Sequence, residues 1–408
     1  MNTRAFLKSG NDLVVQLMRP FAVLAALAVV AVAVAGIDVG LVADGFGDGS
    51  TTAISVTPAT CAAHWHPPKS GTDEFHVTNH TSQTIDVQLQ GTQDALVFAE
   101  LFTLGPGTER PLTVTLAPGG YIWECAGIDG VVWYSNPVHI HGGPVAATPG
   151  YQPVSFDDLS TVVLAYRQTV TTGLATLASA TDLLNMAVDS GDLLSARQQW
   201  LVAHLDYERL GAAYDTFGPF DDEINGRADG LAGGVNDPDF TGFRRLEYGL
   251  WHGQSLDELK AIAGQLDALV HQLAVAFPHQ LTTATDIPLR AHEILENALQ
   301  FELTGQTDEG SHTNLATIGA NIQGTLADLG VIAPILGPRD PQLLRSVMAG
   351  LHQLAGLVAS YQQSDGTWTP VQSLTLAEHE QIDGLMGQLL EQLSDIPDEL
   401  RLFQVGAD

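Results

Sequence analysis

Lysine is scarce in this chain. Lys8, Lys69 and Lys260 are the only three in 408 residues, and 16 Lys+Arg face 47 Asp+Glu for a formal net charge of −31. A field of that sign repels nucleic-acid phosphates, which argues against nucleic acid as a partner, and it concentrates cations. Cysteine is nearly missing: Cys61 and Cys125 are the whole complement. Of five methionines none lies between residues 52 and 142. The run His-Glu-x-x-His occurs nowhere, so a metallopeptidase loses its best signature. No fixed-period repeat is present.

Long apolar runs are confined to one place. Arg4, Lys8 and Arg19 precede residues 20–37, "PFAVLAALAVVAVAVAGI", which carry no charge. A basic flank followed by an apolar run is the export pattern. The run is close to the ~17-residue lower limit of a membrane span, and "AVAVA" offers small-x-small cleavage sites. Residues 1–44 therefore read as a signal peptide or a signal anchor, acting through residues 20–43. No cysteine closely follows, which argues against lipoprotein processing. The remainder is placed outside the cytoplasm, in the periplasm or cell envelope, where two cysteines form a disulfide by default.

Beyond the leader the chain divides in two. Residues 50–142 hold short alternating runs such as "EFHVTN", "TIDVQLQ" and "RPLTVTLAPGGYIWEC", separated by Gly, Pro, Asn and Ser. That spacing predicts a small all-β sandwich or Greek-key barrel. Residues 143–156 are Pro/Gly/Ser-rich and read as a linker. From 157 to 408 the apolar residues recur at i, i+3, i+4 and i+7, and Ser255/Glu258 and Thr375/Glu378 have capping-box spacing. Seven or eight helices of this kind suit two bundles packed together.

The strongest chemical constellation is "AHLDYERLGAAYDTFG". His204 and Glu208 are four apart and share a helix face, so one imidazole and one carboxylate can meet one cation. The plainer alternative is a surface His–Glu pair. "RAHEILE" repeats the geometry with His292 and Glu296, and Glu302 follows.

These residues, with "DDEINGR", "TGFRRLEYGLW", "FELTGQTDEGSHTNLATIGANIQGT" and "ATCAAHWHPP", resemble the EfeO/imelysin-like family. The resemblance runs from about residue 52 to the C-terminus. It implies a cupredoxin-like domain followed by an imelysin domain. It also implies an extracytoplasmic, metal-binding role in an EfeUOB-type iron uptake system, beside a membrane permease and a peroxidase-like partner. The family's helical motif reads Gly-Phe-His-x-x-Glu with a Trp soon after. Here Gly242 and Phe243 are followed by Arg244, with Glu247 and Trp251 kept. A guanidinium has no acceptor lone pair and cannot ligate a metal. The upstream acidic stretch of the family is also thinned, to Asn225, Gly226, Arg227, Ala228, Asp229 and Gly230. The site thus reads as degenerate, with Arg244 standing where a bound cation would lie and pairing with Glu247. The alternative is a surface Arg244, with His204, Glu208 and Asp222 compensating.

For the β domain the resemblance implies metal ligation by Cys61, Cys125 and Glu100, in competition with the disulfide. The two-His, Cys, Met set of blue copper is missing. Six of the 14 histidines lie here: His64, His66, His76, His80, His139 and His141. On a strand His139 and His141 point the same way and can converge on one ion. They could meet the His64/His66 pair if the first and last strands are neighbours. Iron, copper or zinc are the candidate metals, and the expected role is binding and delivery without catalysis. The rivals are an imelysin-type metallopeptidase, a cupredoxin-type ferrous oxidase, and a metal-free paralogue whose Arg244 and Arg245 anchor a partner or an anionic ligand.

Overall fold

The computed structural model describes residues 50–403. The leader at 1–44 lies outside the described residues. Among those described, no helix is long and apolar enough to cross a membrane.

The β part is a two-sheet sandwich. One sheet has the order β2 (Thr60–Cys61), β1 (Ser50–Thr57), β3 (Gly71–Asn79) and β6 (Glu109–Leu116), with β1 and β3 parallel. The other runs β5 (Val97–Leu104), β4 (Ile85–Gly91), β7 (Gly119–Gly127) and β8 (Val132–Tyr134), and β9 (Val138–Ile140) also pairs with β7. Alternation sets its core. Val77 and Phe75, Val87 and Leu89, and Trp123 and Cys125 all point inward. Trp65, Phe75 and Trp123 meet edge to face there, with centroids 5.2 to 6.1 Å apart. A Cys61–Cys125 disulfide joins the two sheets through this core.

Residues 143–155 return over the sandwich, where Val97 and Tyr151 exchange two backbone hydrogen bonds. Helix α1 (Phe156–Ser190) then starts on a full capping box from Ser155 and Asp158 and stops at Gly191 in the left-handed region. It packs along α2 (Leu193–Glu208) and, past two short helices, α3 (Tyr214–Phe217) and α4 (Pro219–Asn225), along α6 (Leu256–Ala276), which follows α5 (Gly242–His252). A second group comprises α7 (Asp286–Asn297), α8 (Asn314–Arg339), α9 (Pro341–Ala359) and α10 (Leu376–Ser394). Capping boxes open α6 at Ser255 and α10 at Thr375. Two helical bundles therefore stand side by side, and α2 against α8 forms the seam between them.

The disulfide spans 64 residues of sequence. Closing a loop of that length removes about 4 kcal/mol of unfolded-chain freedom in the entropy model. Reduction, or Cys125→Ser, is expected to lower protection of the β7 amides by that order in hydrogen exchange. Unchanged protection would show that the sheets need no covalent tie.

Candidate functional site

The seam buries charge. Helix α2 buries one face, Ala196, Trp200, Ala203 and Tyr207, and His204 and Glu208 on the flank of that face enter the interior with it. Glu208 is met from every direction. Its Oε1 accepts from Asn225 Nδ2 at 2.9 Å and stands 3.0 Å from His204 Nε2. Its Oε2 accepts from Asn321 Nδ2 at 2.8 Å and from Tyr214 OH at 3.1 Å. Burial alone would raise this carboxyl, but His204, Arg244 and Asn321 outweigh it and hold Glu208 down at about 2. The His204 contact is one of proximity, since neither ring nitrogen makes a hydrogen bond.

Arg244 enters from α5. The glycine that opens this helix is obligatory on two counts. Gly242 has φ +74°, and a Cβ there would lie 2.1 Å from the Ile224 carbonyl oxygen. That close approach sets α5 on the end of α4 and delivers Arg244, only 4% exposed, to the seam. Its Nη2 donates to Glu302 Oε1 at 2.8 Å and lies 3.4 Å from Glu208 Oε1, while Nη1 donates to the Thr307 carbonyl at 2.8 Å. Burial opposes the guanidinium charge, but Glu302, Glu208 and Glu247 together more than offset it.

Glu302 reaches this point from a π-helical turn, Ala298–Glu302, directly after α7. The wider turn shifts which side chains face inward, a common device at functional sites. Asn314 Nδ2 donates to the other oxygen of Glu302 at 2.8 Å. The loop beyond folds back over α5. Gly310 packs so tightly on Trp251 that a Cβ would come within 2.9 Å of the Trp251 Cβ.

Glu247 differs from the expectation. It does not pair with Arg244, whose fork is committed to Glu302, Glu208 and Thr307. Its Oε1 instead accepts the backbone N–H groups of Glu309 and Ser311, at 3.2 and 3.0 Å, and its Oε2 is buried without a hydrogen bond. Burial raises its carboxyl to about 7, against the lowering effects of Arg244 and Ser311. The physical reason is direction: residues three apart share a face, but here one side chain enters the seam while the other ties down a loop.

A cleft of about 470 Å3 opens beside this cluster, lined among others by Glu208, Asp221, Asp222, Asn225, Arg227, Arg244 and Glu302. Tyr207 OH donates to Asp221 at 2.5 Å, and burial lifts that carboxyl to about 6. Asp222 lines the cleft but is exposed, and it makes no contact with His204 or Arg244 among the hydrogen bonds and ion pairs described. His292 and Glu296 pair loosely with each other at 3.7 Å, part-exposed and outside the lining. Trp251 meets Trp200 edge to face at 5.3 Å, and Trp200 stacks on His204. Arg245 is tied to Gln254 Oε1 at 2.6 Å. Arg244 and Arg245 therefore do not act as a joint surface anchor.

Two β-domain assignments are also corrected. Glu100 is not beside the cysteines. It pairs across the ladder with Gln88, which pairs with Glu124, while Cys125 sits opposite Val87. Strand alternation thus puts Glu100 and Cys125 on opposite faces of the sheet. Glu100 accepts from Gln88 Nε2 at 3.1 Å and lies 3.4 Å from Arg339 Nη2 at the end of α8. The cysteines, being bonded to each other, offer no thiolate. The rings of His139 and His141 do lie 4.6 Å apart, exposed, but no third donor completes a cluster with them among the described residues. Their strand is in a different sheet from β1, so no pairing brings them onto the first strand. The one cluster of three close donors among the described residues is Asp182 on α1 with Asp267 and His271 on α6. No sequence spacing marked it, because it joins two helices.

Residues 162–396 match the family model described as imelysin. Over 343 residues the chain is 25% identical to the iron uptake system component EfeO of Escherichia coli strain K12, covering 84% of this chain and 89% of that protein. The proteins of the same name from Escherichia coli O157:H7 and Shigella flexneri match to the same extent.

Glu247 imposes a pH dependence whose sign comes from its environment. The folded chain keeps this proton up to about pH 7, whereas an ordinary glutamate loses it near 4.5. Over that window the folded state binds more protons, so stability falls as pH rises and levels off above 7. Glu208 acts oppositely and adds stability as pH rises from about 2 to 4.5. Glu247→Gln keeps an acceptor for both amides. It is expected to match the parent near pH 4.5 and exceed it above 7 by on the order of 3 kcal/mol. Urea unfolding of both chains across this range reads the effect, and parallel pH curves would refute it.

Proposed function

The chain belongs to the imelysin family, and from that premise we propose that it is an extracytoplasmic component of an iron uptake system that works by binding and delivery. The support is threefold: its similarity to proteins named iron uptake system component EfeO, the export pattern of residues 20–43, and a strongly anionic chain. Neither rival enzyme finds its machinery. A peptidase of the zincin type lacks its His-Glu-x-x-His run, and a cupredoxin-type oxidase lacks its ligand set. A membrane permease and a peroxidase-like protein are the partners that an EfeUOB-type system implies.

One observation carries the finer reading. The Arg244 guanidinium lies 2.8 Å from Glu302 and 3.4 Å from Glu208, and His204 stands 3.0 Å from the same Glu208 oxygen. The helix position where the family motif has histidine therefore holds a cation tethered to the protein. A bare metal ion would have to displace a guanidinium already held by two carboxylates and a carbonyl. The helical centre is thus closed to bare ions, and its residues serve architecture rather than ligation.

Cells lacking this chain are expected to accumulate radioactive iron more slowly, with the rate restored by re-expression. Unchanged uptake would remove the iron assignment.

Arg244 is tested separately. Arg244→His places an imidazole three residues before Glu247 and opens the space between Glu208 and Glu302. It is expected to acquire stabilisation by ferrous or zinc ion that the parent lacks, about 2.7 kcal/mol at a hundredfold excess over Kd. Arg244→Ala, which strands two buried carboxylates, is expected to cost about 3–5 kcal/mol. Thermal melts with and without chelator decide. The closed-centre reading fails if the unmodified chain already takes up one tight equivalent of bare metal and Glu247→Ala abolishes it.

A further inference from the structure

The cleft beside the buried cluster is the wrong shape for a bare ion. Its volume, about 470 Å3, falls in the range of small-molecule sites. Its carboxylates do not converge: among the described residues the only three donors within 4.8 Å of one another are Asp182, Asp267 and His271, none of which lines it. A metal entering here has to bring most of its own ligands.

The charges in the cleft are mixed. Arg244 is committed to Glu302 and Glu208, and Arg290 is committed to Asp215 at 2.9 Å and to Glu293. Arg227 differs from both. It has no ion pair or hydrogen bond among the described residues, and its guanidinium lies 3.9 Å over the Phe301 ring. Stacking of this kind fixes the plane of the fork while leaving its N–H edges free, which suits two-point capture of a carboxylate. Beside it Asn225 gives its amide N–H to Glu208, while its Oδ1 is buried without a partner and can accept from a hydroxyl. Asp221 and Asp222 of α4 line the same space and attract positive charge. A simple anion would meet these carboxylates, and a simple cation would meet Arg227. A ligand with a cationic centre and anionic arms satisfies both.

We propose that the cleft takes iron inside a small hydroxycarboxylate chelate, with Arg227 gripping a carboxylate of the chelator. Asn225 Oδ1 accepts from an O–H of the chelate that keeps its proton, such as a metal-bound water, and Asp221 and Asp222 face the metal side. This rests on the reading of the chain as an iron-binding uptake component and specifies the form of the cargo.

The test titrates the full chain with three probes by calorimetry at neutral pH: ferric citrate, citrate without metal, and ferrous ion without chelator under anaerobic conditions. Ferric citrate is expected to bind at least tenfold more tightly than either other probe. Arg227→Gln is expected to weaken it at least tenfold with the unfolding transition unmoved. Arg227→Lys, which keeps the charge but loses the fork, should fall between, and it carries the test if the glutamine variant misfolds. Ferrous ion binding as tightly as the chelate, citrate binding equally with and without iron, or indifference to both Arg227 variants would overturn the chelate while leaving iron binding intact. Failure of every iron form to bind would sink the underlying reading as well.

Discussion

The ion pair between Arg244 and Glu302 crosses from one helical bundle to the other, and the interior of the domain is arranged around it. Arg244 and Glu208 come from the first bundle, on α5 and α2. Glu302, Asn314 and Asn321 come from the second, on the turn after α7 and on α8. Burying charge is costly unless it is fully partnered, and removing one member strands the others. Each of these side chains therefore constrains the rest. Replacing buried ion pairs by apolar residues of similar volume is often neutral or stabilising, so stability alone does not account for the polarity of such a seam.

The backbone gives way wherever the cluster demands it. Gly242 takes a left-handed conformation against the Ile224 carbonyl. The turn before Glu302 widens to a π turn. The loop at Gly310 lies directly on Trp251, where its neighbours' amides reach Glu247. The two glycines take these conformations because they lack a Cβ, and the π turn is held by the partners of Glu302. Three such departures around one guanidinium mark it as the organising feature of the fold. They also explain why Gly242, Glu247 and Trp251 accompany a residue that is not histidine: they build the frame in which Arg244 sits.

Much of this was legible in the sequence. Helical periodicity placed the major helices, and the capping boxes at Ser255 and Thr375 fixed two of their starts. The His204–Glu208 contact is set by a spacing of four. The partners of Arg244 were hidden because they are long-range, 36 residues away for Glu208 and 58 for Glu302. Local spacing therefore offered Glu247 in their stead. The two asparagines were readable in principle: Asn314 and Asn321 lie seven apart, on one face of an otherwise apolar stretch. The error at Glu100 was avoidable too. In "VFAELFTL" the inward residues are Val97, Ala99 and Leu101, and in "YIWECAG" they are Trp123 and Cys125, so parity alone separates Glu100 from Cys125. The Asp182–Asp267–His271 cluster had no local signal, since it depends on the packing of α1 against α6.

A guanidinium differs from a bound metal in one respect that bears on delivery. Metal affinity at imidazole and carboxylate ligands falls when protons compete for them, and the ion can leave. Arg244 neither titrates in any physiological range nor dissociates. Its carboxylates are satisfied permanently, so the seam stays assembled whether or not cargo is present. On the proposed reading, cargo is held by the groups that remain uncommitted at the cleft, where contacts are fewer and partly solvated. Weak, multipoint holding of that kind favours release as much as capture, because a ligand can leave without unpairing the buried charges. A carrier that hands its cargo on needs this separation between the groups that keep it folded and those that grip the load.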